Sequence, residues 1–369
     1  MSNIIKHFEF ADPRPFSAVM TKESNMNKTI NWFIPPVTKG SGGHLNIFRF
    51  AKNLEKYGYK SRFIVVAESL VGDDFRVDGD EIYKRICEWY LPLNADCYRI
   101  TDDIPSASYA MATGWQTAYY VDVFQDKCIK CYFIQDYEPW FYAKGTESAL
   151  AENTYKLGFI GITAGNWLKD IMQNDYGMKA FSVGFSYEKE LYRVKEVSKK
   201  KATKKIFFYA RPPTPRRAFD LGVIVLNKVK QVMPEVEILM AGWDLSEYDL
   251  PFQIDDRCIS DLKDLPDIYA ECDVALVLSF SNLSLLPLEL MACGVPVVSN
   301  SGKWVEWLLS SENAVLCDAS IKSLADGIIL LLKNEVKRQA LIANGLNFSA
   351  QTSWEEEAEK FHIILESLI

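Results

Sequence analysis

The chain has 369 residues, 49% hydrophobic and 24% charged, with a net charge of −8. That length is too great for one ordinary core and fits two domains of about 150 to 200 residues. The acidic balance argues against a general nucleic-acid binder, whose affinity comes from neutralising phosphates, and no run of about 18 apolar residues marks a membrane span.

Residues 1–28 form an N-terminal extension whose first residues, Met1-Ser-Asn-Ile-Ile-Lys-His-Phe8, lack the apolar core and cleavage site of a secretory leader. The eight cysteines are scattered through apolar stretches, as reduced thiols would be, so a disulfide-free cytoplasmic protein is expected. Cys128-Ile-Lys-Cys131 has no second pair at zinc-finger spacing and reads as core.

Residues 29–192 read as a first α/β domain. A strand, Thr29 to Ile34, leads through Lys39-Gly-Ser-Gly-Gly-His44 to a helix from Leu45 to Tyr57, signalled by Leu45, Phe48, Ala51 and Leu54 and stopped by Gly58. A strand from Lys60 to Val66 follows, with others near Ala107–Thr113, Cys131–Gln135, Gly158–Thr163 and Lys179–Gly184. A lysine-rich linker, 193–204, holds Lys195, Lys199, Lys200, Lys201 and Lys204, next to Lys205, and reads as solvated chain or as a peripheral contact with the inner face of a membrane.

The second domain, 205–350, alternates again. Strands are expected at Lys205–Ala210, Val236–Ala241, Ile259, Val274–Leu278 and Val295–Ser299. Helices are expected at Ala218–Met233, Leu265–Glu271, Trp304–Leu309 and Leu324–Leu332, with a closing helix in 351–369. Strands alternating with helices imply parallel sheets, so the expected architecture is two Rossmann-like α/β domains facing each other across a cleft, with ligands beyond the carboxyl ends of the strands.

Four loops could carry chemistry. Gly42 and Gly43 allow close approach of a phosphate or sugar at a helix N-terminus, and His44 adds a group that orients an acceptor or caps the helix. The block Tyr132-Phe-Ile-Gln-Asp-Tyr-Glu-Pro-Trp-Phe-Tyr142 places Asp136, Glu138 and four aromatics at a strand end, suited to sugar hydroxyls and sugar faces, and Asp136, Glu138 and His44 are the catalytic candidates. Arg211, Arg216 and Arg217 follow the first strand of the second domain and fit phosphate oxygens. The run Ser281-Asn-Leu-Ser-Leu-Leu-Pro-Leu-Glu289 offers the amides of Ser284, Leu285 and Leu286 to a diphosphate and Glu289 to ribose hydroxyls. Lys303 stands in the next loop as a further donor contact. No Asp-x-Asp motif is read in the chain, no metal or other cofactor is expected, and arginines and helix-terminal amides would neutralise a diphosphate instead.

The segment Glu289-Leu-Met-Ala-Cys-Gly-Val-Pro-Val-Val298 resembles the C-terminal signature of retaining GT-B glycosyltransferases, with Glu289 at the second glutamate and Ser281 where the first would stand. Arg211 matches the family's arginine, and Arg216, or Arg217 in a longer loop, its lysine. The blocks Gln135-Asp-Tyr-Glu-Pro139, Ala112-Thr-Gly-Trp-Gln-Thr-Ala-Tyr119, Gly161-Ile-Thr-Ala-Gly-Asn-Trp167, Met240-Ala-Gly-Trp243 and Asn300-Ser-Gly-Lys-Trp-Val-Glu-Trp-Leu308 are similar to a narrower group, the WsaF-type rhamnosyltransferases of bacterial surface-glycan and O-antigen synthesis, over residues 29 to 365. The resemblance implies dTDP-L-rhamnose as donor, retention, and a nascent polysaccharide or lipid-linked glycan as acceptor. Because Ser281 replaces an acid, two alternatives stand beside it: a UDP- or GDP-sugar donor, or a non-catalytic nucleotide-sugar-binding subunit.

Overall fold

In the computed structural model residues 4–19, 28–66, 77–195, 203–258 and 262–369 are described. The chain divides into two units: residues 1–184 with 354–369, and residues 185–353.

The first unit starts with a short helix α1 (Ile4–His7) and strand β1 (Phe16–Ser17), then β2 (Thr29–Ile34), α2 (Gly42–Leu54), β3 (Lys60–Val65), α3 (Gly79–Trp89) and β4 (Ala95–Arg99). β5 (Tyr109–Ala112), α4 (Trp115–Val123), β6 (Phe124–Gln125), β7 (Ile129–Ile134), α5 (Thr146–Thr154), β8 (Ile160–Ala164), α6 (Asn166–Tyr176) and β9 (Ala180–Val183) follow. Seven strands form one parallel sheet in the order β4-β3-β2-β5-β7-β8-β9. Every residue of central β2 is buried, its polar Thr29 and Asn31 included, as befits a strand covered on both faces. Helix α2 starts where Ser41 Oγ accepts the His44 N–H at 3.3 Å, after a left-handed Gly40 (φ 80°), and buries Ile47, Phe48, Phe50, Ala51 and Leu54.

The second unit holds β10 (Lys205–Tyr209), α7 (Phe219–Val232), β11 (Glu237–Ala241), β12 (Asp255–Asp256), α8 (Leu265–Ala270), β13 (Val274–Val277), α9 (Leu286–Ala292), β14 (Val297–Asn300), α10 (Lys303–Glu306), β15 (Ala314–Cys317), α11 (Ile321–Lys333) and α12 (Glu335–Ala350). Its six strands are parallel in the order β12-β11-β10-β13-β14-β15. Alternate residues of β10 serve two cores, Phe207 on one face and Ile206 and Phe208 on the other. On the second face α7 lies so close to β10 that a Cβ on Gly222 would sit 2.1 Å from the Phe208 ring.

Helix α13 (Trp354–Glu366) returns to the first unit, where Trp354 meets Phe50 edge-on at 5.6 Å and the Tyr109 hydroxyl donates to Leu365 O at 2.8 Å. In both sheets the strand order reverses once, between β2 and β5 and between β10 and β13. Ligands of open α/β sheets bind beyond the carboxyl ends of the strands at such switch points.

Several expectations need correction. The division falls after Gly184, so 185–192 belongs with the second unit. The strand expected at Ile259 lies outside the described residues, and the edge strand found is Asp255–Asp256. Lys199, Lys200 and Lys201 also lie outside them, while Lys195 pairs with Asp267 at 2.6 Å and Lys204 with Asp273 at 3.1 Å. Among the described residues no helix is long and apolar enough to cross a membrane.

Candidate functional site

At the switch point of the second unit, the chain leaving β10 carries Arg211, Arg216 and Arg217, and the chain leaving β13 carries residues 279–286. The two loops are stitched together. Phe280 N–H donates to Arg216 O at 2.8 Å, and Arg217 Nη1 donates to Ser279 Oγ at 2.5 Å and Asn282 O at 3.1 Å. Arg217 thus spends its guanidinium on shaping the loop. Arg211 is placed differently: its Cζ lies 6.0 Å from the ring centroids of both Tyr209 and Trp243, and Nη1 donates to Gly242 O at 3.3 Å. Aromatic faces hold a guanidinium without neutralising it, so Arg211 is fixed in direction and keeps its charge.

Helix α9 opens after Leu285, and the N–H groups of Ser284, Leu285 and Leu286 have no acceptor among the described residues. Glu289 sits within its first turns, half-buried, with Tyr269 Oη 3.5 Å from Oε2, while Leu288, Met291 and Ala292 face the core. Ser281, at the missing first glutamate, is fully buried, and its carbonyl accepts from Ser279 Oγ at 2.8 Å. Lys303 is exposed at the start of α10, whose first turn is tied by Gly302 N–H to Glu306 Oε1 at 2.9 Å.

Two supports escaped the sequence reading. The Asn300 side chain brackets residue 279, accepting Ser279 N–H at 2.9 Å and donating to Ser279 O at 2.7 Å, and Trp304 Nε1 donates to that same carbonyl at 2.8 Å. Two polar residues ending a buried strand, Val297-Val-Ser-Asn300, are the signal that could have found Asn300.

At the switch point of the first unit, the glycine loop lies at the carboxyl end of β2. A Cβ on Gly42 would meet nothing within 4 Å, and one on Gly43 only Gln135 Nε2 at 3.7 Å and Ser41 Oγ at 3.9 Å. Protein packing therefore does not require these two glycines. His44 does not cap the helix. Its Nε2 faces Pro35 O at 3.1 Å, Nδ1 is buried without a partner, and burial holds its pKa below the usual histidine value against the opposing Pro35 contact.

Asp136 and Glu138 follow β7, 7% and 5% exposed, and Glu138 is turned inward. Glu138 Oε2 accepts the Trp115 N–H at 2.5 Å and the Tyr132 hydroxyl at 2.9 Å, and Glu138 N–H donates to Tyr155 Oη at 3.0 Å. This carboxylate ties the loop to α4 and to the strand below. Asp136 Oδ1 accepts Tyr137 N–H at 2.8 Å. Trp140 is 43% exposed and lies flat on Trp167, centroids 6.0 Å apart.

One Asp-x-Asp tripeptide does occur, Asp78-Gly79-Asp80, which corrects the sequence reading of that motif. Asp78 Oδ1 accepts Glu81 N–H at 3.0 Å and so caps α3. Among the described residues Asp244, Asp256 and Cys258 bring metal-type atoms within 4.8 Å of one another, but both carboxylates accept N–H groups of their own turns, Ser246 at 2.9 Å and Cys258 at 2.8 Å. The cysteines are free thiols, and burial pushes Cys97 and Cys293 up to about 12, which leaves them poor nucleophiles at neutral pH.

Comparison with known proteins gives one consistent answer. The family models described as WsaF, N-terminal domain and WsaF, C-terminal domain match residues 30–164 and 204–329. The chain is 31% identical over 385 residues to the O-antigen biosynthesis protein RfbC of Myxococcus xanthus; the match takes in 97% of this chain and 29% of that protein, so the chain spans under a third of its relative. Similar folds include sucrose-phosphate synthase from Thermosynechococcus elongatus (TM-score 0.70, 13% identity) and S. aureus TarM in complex with fondaparinux, α-GlcNAc-glycerol and UDP (TM-score 0.72, 11% identity), each covering 92% of this chain and 99% of the other. Anabaena HepE in complex with UDP and glucose superimposes with a TM-score of 0.69 at 13% identity, over the same shares of the two chains. Two Rossmann-like units, matched one by one by the two halves of a single family, place the chain: it belongs to the WsaF family of GT-B glycosyltransferases.

Proposed function

We propose that this chain transfers L-rhamnose from dTDP-L-rhamnose to a growing bacterial polysaccharide or lipid-linked glycan, with retention and without a divalent metal. The observation that carries the reading is the second unit's switch point, where Arg211 lying near two aromatic rings, the acceptorless amides of residues 284–286 and the half-buried Glu289 all occur. Arg211, Arg216 and the amides would hold the diphosphate, and Glu289 the ribose. Fixed positive groups of this kind stabilise the charge that grows on a departing diphosphate without needing a protein nucleophile. A front-face displacement in which that diphosphate takes the acceptor proton needs no protein base. Asp136 and His44 are assigned to the acceptor, Glu138 and Arg217 to holding the loops, and Lys303 to the edge of the donor site.

A second reading is favoured by Ser281, whose burial leaves no acid at the first-glutamate position: a UDP- or GDP-sugar would then be the donor. The experiment is thermal stabilisation by dTDP, UDP and GDP, each with and without EDTA. A selective ligand at a hundredfold excess over Kd raises stability by about 2.7 kcal/mol. Selective stabilisation by dTDP that survives EDTA supports the reading, and preference for UDP or GDP, or dependence on added Mg²⁺, overturns it.

A further inference from the structure

Residues 4–19 lie outside the matched family models, the first of which begins at residue 30. Their contacts are nevertheless built in. β1 pairs in parallel with β6, Ala18 N–H donates to Gln125 O at 3.1 Å, Val19 N–H to Ile104 O at 2.8 Å, and Ser106 N–H returns to Val19 O at 3.0 Å. Ahead of that strand, Phe10 is 5% exposed, edge-on to Trp115 at 5.0 Å and packed with Ala151. Trp115 in turn holds both ends of the chain that follows β7. Its backbone N–H donates to Glu138 Oε2 at 2.5 Å, and its indole N–H donates to the Tyr142 hydroxyl at 3.2 Å. Trp140, the exposed ring of that loop, lies between these two ties.

We propose that residues 4–19 brace the 136–142 loop, with Phe10 as a positioning residue that acts through Trp115. Phe10 sets where Trp115 sits, Trp115 sets Glu138 and Tyr142, and these set the direction in which the loop presents Asp136 and Trp140. The consequence for catalysis rests on the acceptor reading of Asp136: the brace tunes acceptor use while leaving the nucleotide side untouched.

The test is hydrogen exchange on the full chain, comparing wild type with Phe10→Ala and Phe10→Leu. The reporters are the amides of Trp115, Glu138 and Trp140, each of which has a hydrogen-bond acceptor. In Phe10→Ala these three exchange at least tenfold faster, β2 and β7 keep wild-type rates, and dTDP raises Tm as in wild type; Phe10→Leu restores most of the protection. Unchanged exchange at the three amides overturns the brace. Faster exchange throughout β2 and β7 also overturns it, since Phe10 would then be a general core residue. With octyl α-L-rhamnopyranoside as acceptor probe, a raised KM at unchanged kcat supports the catalytic consequence. Local loosening with KM unchanged overturns that consequence and the acceptor reading while leaving the brace in place.

Discussion

Replacing Glu138 separates a structural carboxylate from a catalytic one. Glu138→Ala would leave the Trp115 N–H and the Tyr132 hydroxyl without the oxygen they now share, and Tyr132 is fully buried. Each hydrogen bond to a charged group contributes about 1.5–3 kcal/mol, and stranding a buried donor costs about as much, so losing both should destabilise the first unit by about 3–6 kcal/mol. Glu138→Gln keeps an oxygen for one or both donors and should cost about 1–3 kcal/mol. Urea unfolding should therefore show an early first-unit transition in Glu138→Ala, an intermediate one in Glu138→Gln, and an unchanged dTDP-dependent transition for the second unit. The two transitions must be fitted separately, because a two-unit chain need not unfold in one step. A Glu138→Ala variant as stable as wild type, with sugar transfer abolished, would refute the reasoning and return Glu138 to the reacting groups.

Three further outcomes are expected. Glu289→Gln should melt near wild type without ligand but lose most of its dTDP stabilisation, read by thermal shift; early unfolding with normal dTDP binding would make Glu289 a structural helix acid. Gly43→Ala should leave stability within about 1 kcal/mol of wild type, because its Cβ has room, yet lower transfer if a ligand approaches the glycine closely; unchanged turnover would remove the loop from the site. His44 is neutral in the folded chain below its ordinary pKa, so its contribution is complete above about pH 6.5 and is lost as pH falls from there through the lowered folded value. His44→Gln should flatten the fall of first-unit stability below about pH 6.5, and an unaltered slope would show that His44 does not titrate on unfolding.

Much of the fold was legible because its central strands are buried on both faces. β10 and β13 hold the apolar runs Ile206–Phe208 and Val274–Val277, β2 closes on Trp32-Phe-Ile34, and their parallel arrangement followed from the alternation of strands and helices. β4 was not legible: Ala95-Asp-Cys-Tyr-Arg99 is an edge strand, half-buried throughout, and its composition follows no period. Nor was α3, which buries only Ile82 and Ile86. At the candidate site, Arg211 and Glu289 stood out because a charge at the end of an apolar strand or on an apolar helix needs a reason to be there. The inward turn of Glu138 could not be read, since its partners Trp115 and Tyr132 come from other parts of the chain. Sequence spacing likewise could not tell Arg217, committed to Ser279 and Asn282, from Arg211, held by rings that leave its charge in place.

Sugar transfer from a dTDP-activated donor held by the second unit is read out by nucleotide release. The most direct measurement is nucleotide release from dTDP-L-rhamnose, UDP-glucose and GDP-mannose in matched reactions containing EDTA, for wild type and Arg211→Ala. Release from dTDP-L-rhamnose is expected well above the other two in wild type. In Arg211→Ala a loss of roughly ten- to a hundredfold is expected at subsaturating donor, from removing a charge-assisted contact of about 1.5–3 kcal/mol. Faster release from UDP-glucose or GDP-mannose, or no release from any donor by a folded chain that binds dTDP, would contradict transfer from a dTDP-activated donor.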